Sequence, residues 1–206
     1  MLNNHNPVKI HARFLDIAAG ISAPLAEAVS AIGPVFFPDR EDKGLGYFLS
    51  RAVIGQQLST KAARSIWARV ESASSSAGDG IPQFFDDHSI DVLRDCGVSS
   101  NKIKALRCLH KAEHDGLLCG QTLRQLDHDA RSQHLLAIWG IGQWTCDMAS
   151  IFYCRCPDVW PEGDVTVQKT FARLIGRRKP SKAAAHFAPY RSYLALSMWQ
   201  TVNAVP

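Results

Sequence analysis

Asp164 and the glycine pair Gly140 and Gly142 are the residues whose types and spacing could do chemistry. The carboxylate opens a helical stretch 22 residues beyond Gly142, after a short connection containing Pro and Gly. Aspartate is a preferred N-cap, so a purely structural role is open to it. A catalytic role is compatible with that one, because backbone N–H groups and the dipole at a helix N-terminus favour the anion. A fixed anion stabilises positive charge that develops during a reaction, such as an oxocarbenium ion, and can orient an attacking water. Glu162 is the nearest alternative acid.

Gly140-Ile141-Gly142 lies between two apolar helical segments. So short a turn calls for residues without Cβ, which take positive φ cheaply and let a foreign backbone come close. The first amides of a helix beginning near Gln143 have no partner inside it. Gly142, Gln143 and Trp144 can therefore present N–H groups to a phosphate, with the helix dipole behind them. Such a clamp grips the backbone of a nucleic acid without reading a base. Gly-x-Gly by itself favours the plainer reading, an ordinary helical hairpin with Ile141 in the core.

The elements that must hold these residues read as helices throughout. Ser22 caps a helix with Leu25, Ala28, Val29 and Ile32 on one face, stopped by Gly33-Pro34. Periodicity predicts helices over Leu45 to Ile54 and Thr60 to about Val70, separated by Gly55-Gln-Gln-Leu-Ser59, with Lys61, Arg64 and Arg69 making the second one basic. Glu71 to Gly80 is small and polar and reads as a loop. Short helices follow at Ile90 to Cys96 and, after a Ser99 or Ser100 cap, Asn101 to about Glu113. In the latter Lys102, Lys104 and Arg107 face outward, within reach of phosphates or simply solvated. The central hairpin pairs Asp127–Ile138 with Gln143–Tyr153. Further helices run from Asp164 or its neighbour to Gly176, Ser181 to Phe187 and Pro189 to about Thr201. No strand or repeat is evident, so the fold class is all-α.

At 206 residues, the chain is long enough for a sizeable core. Its 23 Lys and Arg against 19 acidic residues leave it mildly basic at +4, which permits a nucleic-acid partner without indicating one. No secretory signal or membrane-length apolar run is present, so a soluble, intracellular protein is expected. Cys96, Cys108, Cys119, Cys146, Cys154 and Cys156 form no C-x-x-C and read as reduced, mostly core thiols. No side-chain set for Zn or Fe stands out.

Leu-x-x-Ile-x-Gly-Ile-Gly-x-Trp-Thr over Leu135 to Thr145, with Asp164 beyond it, resembles the helix-hairpin-helix DNA glycosylases, and within them the alkylation-repair branch of 3-methyladenine DNA glycosylase II. The likeness extends from Gly33 to Trp199 through Ile54-Gly-Gln-Gln-Leu-Ser59, Gly97-Val-Ser99 with Lys102, and Pro189-Tyr-Arg-Ser-Tyr-Leu194 with Trp199. It implies one glycosylase domain over 1–206, folded as two helical lobes with DNA and the active site in the cleft between them, and a hairpin at about 134–153. It implies double-stranded DNA with damaged bases as partner, a monomer, and a cytoplasmic enzyme, nucleoid-associated if bacterial.

The resemblance assigns catalysis to Asp164. It assigns DNA contacts to Gly140, Gly142, Gln143, Trp144 and Thr145, and a wedge loop to Gln56, Gln57 and Leu58, with Gln57 entering the base stack. Trp144, Met148 and Trp199 would line the base pocket, where indole faces suit a flipped cationic purine; Trp199 reads equally as core. Relatives that cut the strand carry lysine where Trp144 stands, so a monofunctional enzyme excising alkylated purines such as 3-methyladenine and 7-methylguanine is expected. Carbonyls near Trp139 and Ile141 would hold Na or K, and nothing after Cys156 could hold the iron–sulfur cluster of some relatives. Met148 replaces an aromatic residue of some relatives, and too little chain precedes Ile21 for their extra β-rich domain. A glycosylase for another lesion, or a non-catalytic binding module, remains the alternative.

Overall fold

The computed structural model describes residues 6–38 and 43–202; the ends of the expected 1–206 domain lie outside the described residues. Among those described there are twelve α-helices and one π-helical turn, and no strand. The chain forms two compact units. The first joins Met1–Asp39 to Arg155–Pro206, and the second is the continuous segment Arg40–Cys154.

The first unit holds α1 (Pro7–Ile21), α2 (Ala23–Ile32), α10 (Val165–Ile175), α11 (Pro180–Ala185) and α12 (Arg191–Thr201). Helix α1, absent from the sequence reading, starts as residue chemistry dictates. The Asn6 side chain accepts the amides of Val8 and Lys9, and Pro7 occupies the first turn, where no N–H is needed. Ser22 caps α2 through the Leu25 amide and also donates to the carbonyl of Leu174 at 2.6 Å, tying α2 to the end of α10. Phe14 and Phe171 both meet Phe187 edge-on, with centroids 4.9 and 6.3 Å apart. α12 is buried around most of its circumference, which is why its sequence shows little helical amphipathicity.

The second unit holds α3 (Leu45–Gly55), α4 (Thr60–Ala77), α5 (Ile90–Asp95), α6 (Ser100–His114), α7 (Gly120–Gln125), α8 (His128–Leu136), α9 (Gln143–Met148) and the π-helical turn Ala149–Tyr153. Leu49, Val53, Leu106, Leu109, Leu135 and Cys146 share its core. Burial, reinforced by the neighbouring Asp147 charge, pushes the Cys146 thiol up to about 12. Only Cys96 and Cys146 of the six free cysteines are buried, fewer than expected.

Three local expectations are corrected. The expected loop after Val70 is helical to Ala77. Ser74 and Ser76 return their hydroxyls to the carbonyls of Asp79 and Ser72, and Gly78 closes the helix in the left-handed region. The second hairpin helix changes to π geometry after Met148, where Cys154 N–H reaches the carbonyl of Ala149 at 2.9 Å, five residues back. Nor do the outward cations of α6 face only solvent. Lys102 bonds two carbonyls, Lys104 lies 4.2 Å over the Trp139 ring, and Arg107 pairs with Asp87.

Candidate active site and nucleic-acid interface

Asp164 occupies the N-cap of α10 and is 7% exposed. Its Oδ1 accepts the amide of Val167 at 2.9 Å and the indole N–H of Trp199 at 3.2 Å. Both donors are fixed, one by α10 and the other by α12, so this oxygen is oriented before any ligand arrives. Trp199, expected either to line the base pocket or to sit in the core, is 1% exposed, and its indole N–H touches the acid. Glu162 is exposed, without this mount.

The loop that delivers Asp164 is clamped to the start of α12. Arg191 meets Asp158 through two side-chain bonds of 2.7 and 2.9 Å, and the Arg191 amide adds a third at 3.0 Å. Ser192 N–H donates to the carbonyl of Pro157, and its hydroxyl accepts the amide of Val159 at 2.9 Å. Helix α12 thus holds the loop near its beginning and the acid at its end. Sequence reasoning missed this anchor because a 33-residue separation leaves no local pattern.

In the second unit the hairpin is built as two different glycines require. Gly140 has φ +90°, and a Cβ there would overlap the Cβ of Ala105 on α6. Gly142 is extended instead, with φ −109°, contrary to the expectation that both glycines serve positive φ. A Cβ on Gly142 would meet no protein atom within 4 Å. Space, rather than conformation, distinguishes this position, and space is what a close-approaching backbone needs. The amides of Gly142 and Gln143 donate to no described residue, and the carbonyls of Trp139 and Ile141 accept from none.

The Gln143 side chain turns inward. It donates to Asp147 at 2.9 Å and to Ser132 at 3.4 Å, leaving only its backbone for a phosphate. Beneath it lies a buried polar group. Asp147 is 3.5 Å from His128 Nε2, and Arg131, 2% exposed, donates to the carbonyl of Leu123 at 3.0 Å and to Ser150 Oγ at 3.1 Å. Buried charges stay only when partnered in this way, and removing one partner is costly. Trp144 is half-buried on the first turn of α9, whereas Met148 is buried.

The turn between α3 and α4 carries Gln57 and Leu58, the residues expected to form a wedge. Gln57 is exposed with φ +56°, an uncommon state for a side chain longer than asparagine, and Leu58 is exposed next to it. The Gln56 side chain points the other way, donating to the carbonyl of Gly140 at 3.0 Å and to Thr145 Oγ1 at 3.1 Å. Among the described residues no group of three or more His, Cys, Asp or Glu could hold a metal. No described helix is long and apolar enough to cross a membrane.

No protein-family model matches the chain. It is similar to DNA-3-methyladenine glycosylase 1 of Schizosaccharomyces pombe, with 32% identity over 160 residues that cover 74% of this chain and 70% of that protein. The structure resembles that of the 3-methyladenine DNA glycosylase of the same yeast in complex with abasic DNA. The TM-score is 0.82 at 28% identity, over 95% of this chain and 97% of the other. A DNA-3-methyladenine glycosidase from Bacillus halodurans aligns with a TM-score of 0.73 at 28% identity, over 92% and 88% of the two chains.

Proposed function

The chain belongs to the DNA-3-methyladenine glycosylase family, and we infer from this that it is a base-excision repair enzyme hydrolysing the N-glycosidic bond of alkylated purines in duplex DNA. Asp164 carries the reading at the level of chemistry: it is a buried carboxylate whose Oδ1 is held by two N–H donors.

In the reaction the bond from the sugar C1′ to the base nitrogen breaks, and its electron pair leaves with the base. N-alkylation has made the base cationic, so it departs neutral. The Asp164 carboxylate stabilises the sugar cation left behind and orients a water, whose oxygen bonds to C1′ as its proton passes to the carboxylate or to solvent. With Trp144 where strand-cutting relatives have lysine, the product is a free base and an abasic site in an intact strand. The amides of Gly142 and Gln143 hold a phosphate, and Gln57 fills the gap that the flipped base leaves. The carbonyls of Trp139 and Ile141 suit Na or K, which would add electrostatic attraction to that phosphate. Acting on chromosomal DNA, the enzyme works inside the cell, at the nucleoid if the source is bacterial.

Chromatography of bases released from methylated duplex DNA tests this, with 3-methyladenine and 7-methylguanine as the expected products. Release only of deaminated or oxidised bases from matched substrates would reassign the lesion. No release from any of them would leave a DNA-binding module.

A further inference from the structure

One bond of its own, from the Leu58 amide to the Gly55 carbonyl at 3.2 Å, closes the turn bearing Gln57, and the rest of its support comes from other elements. Lys102, in the first turn of α6, sends Nζ to the carbonyls of Ile54 at 2.8 Å and Gln56 at 2.9 Å. Ile54 lies in the last turn of α3 and Gln56 is its C-cap, at a helix end whose carbonyls have no helical partner and whose dipole favours a cation. From the same turn Gln56 reaches the hairpin with both of its amide hydrogens, one to the carbonyl of Gly140 and one to Thr145 Oγ1. Ala105, one helical turn after Lys102 on α6, is the side chain against which Gly140 is seated without a Cβ. Three elements are thereby registered on one another: the turn, α6 and the hairpin.

Resting on the functional reading above, we propose that Gln56 and Lys102 are positioning residues that couple the Gln57 turn to the hairpin, so that gripping the phosphate and entering the base stack are one event. Neither side chain touches DNA in this role. The left-handed backbone of Gln57 persists only where its surroundings hold it. Lys102 supplies that hold from beneath, and Gln56 passes the position of the hairpin to the turn. A wedge without this mount would have to be ordered afresh each time a base leaves the stack.

The test uses the full chain and a duplex containing an abasic analogue with 2-aminopurine beside it, whose fluorescence reports unstacking. Gln56→Met and Lys102→Met are compared with Gln57→Ala, which removes the wedge from an intact mount. Both Met variants are expected to bind undamaged duplex within about twofold of wild type, since the hairpin amides are untouched, and to lose the fluorescence change about as fully as Gln57→Ala. Lys102→Arg, which keeps a cation, should restore part of it. A wild-type fluorescence response in either Met variant would overturn the coupling. So would binding to undamaged duplex that falls in step with unstacking, because the residues would then merely support the hairpin. Should Lys102→Met fail to fold, Gln56→Met alone decides. Failure of the functional reading shows separately, as wild-type protein that unstacks 2-aminopurine but releases no alkylated purine.

Discussion

The indole N–H of Trp199 donates to Asp164 Oδ1 at 3.2 Å, sharing that oxygen with the Val167 amide. A ring packed in the core thus aims the proposed catalytic carboxylate. Trp199→Phe keeps most of the packing and removes the donor. A hydrogen bond to a charged group is worth about 1.5–3 kcal/mol, so base release should fall by roughly tenfold or more while duplex binding is kept. Single-turnover rates with a binding isotherm check this, and an unchanged rate would leave Trp199 as packing alone.

The two hairpin glycines should fail differently. Gly142→Val places its branches in open space on an extended backbone, so melting should be little changed while affinity falls for damaged and undamaged duplex alike. Gly140→Ala meets both a positive φ and Ala105, so it should cost about 2–4 kcal/mol of stability. Thermal melting beside duplex titration separates the two. Loss at Gly142 confined to lesion-containing DNA would contradict the phosphate clamp.

Asp158 titrates under opposed influences. Burial pushes its carboxyl up, but the hydrogen bonds and charge of Arg191 outweigh burial and hold it below the ordinary aspartate value. A depressed folded-state value gives stability that is present above the unfolded value of about 3.9 and is lost as pH falls through the folded one. Asp158→Asn should therefore melt lower than wild type at pH 7, and the gap should narrow below about pH 4. Parallel melting curves across that range would refute the assignment.

Much of this arrangement was legible in order along the chain, and the exceptions have physical causes. Ser22 and Asp164 stand at the expected N-caps and bond amides of their first turns, as Ser59 and Asp127 also do, because capping is local chemistry. Helix α4 overran its expected end: Glu71 is engaged by Tyr47, 24 residues away, which no local pattern announces, and Ser74 bonds the carbonyl of Asp79 just beyond the helix. The same holds at the site. Gly140, Gly142 and Asp164 stood out by type and spacing, whereas Gln56 to Gly140 spans 84 residues and Lys102 to Ile54 spans 48. On a helical wheel Lys102 is simply a surface cation; only the neighbouring end of α3 gives it a task.

With tryptophan at position 144 no amine is presented by the hairpin, and Lys169, the nearest lysine in sequence to Asp164, is exposed on α10. Denaturing electrophoresis of a lesion-containing duplex should show cleavage only after alkali, and borohydride during turnover should trap no protein–DNA adduct. Nicking without alkali together with a trapped adduct would show an amine nucleophile.

The central claim is that the Asp164 carboxylate releases the alkylated base. Asp164→Asn keeps the side-chain size and the cap on α10 while removing the charge. The decisive measurement is the single-turnover release of 3-methyladenine from methylated duplex by wild type and Asp164→Asn, with affinity for an abasic-analogue duplex determined alongside. The Asp164→Asn rate should be lower by about two orders of magnitude or more, with binding largely retained. Release by Asp164→Asn at close to the wild-type rate would reduce Asp164 to a helix cap and contradict the mechanism.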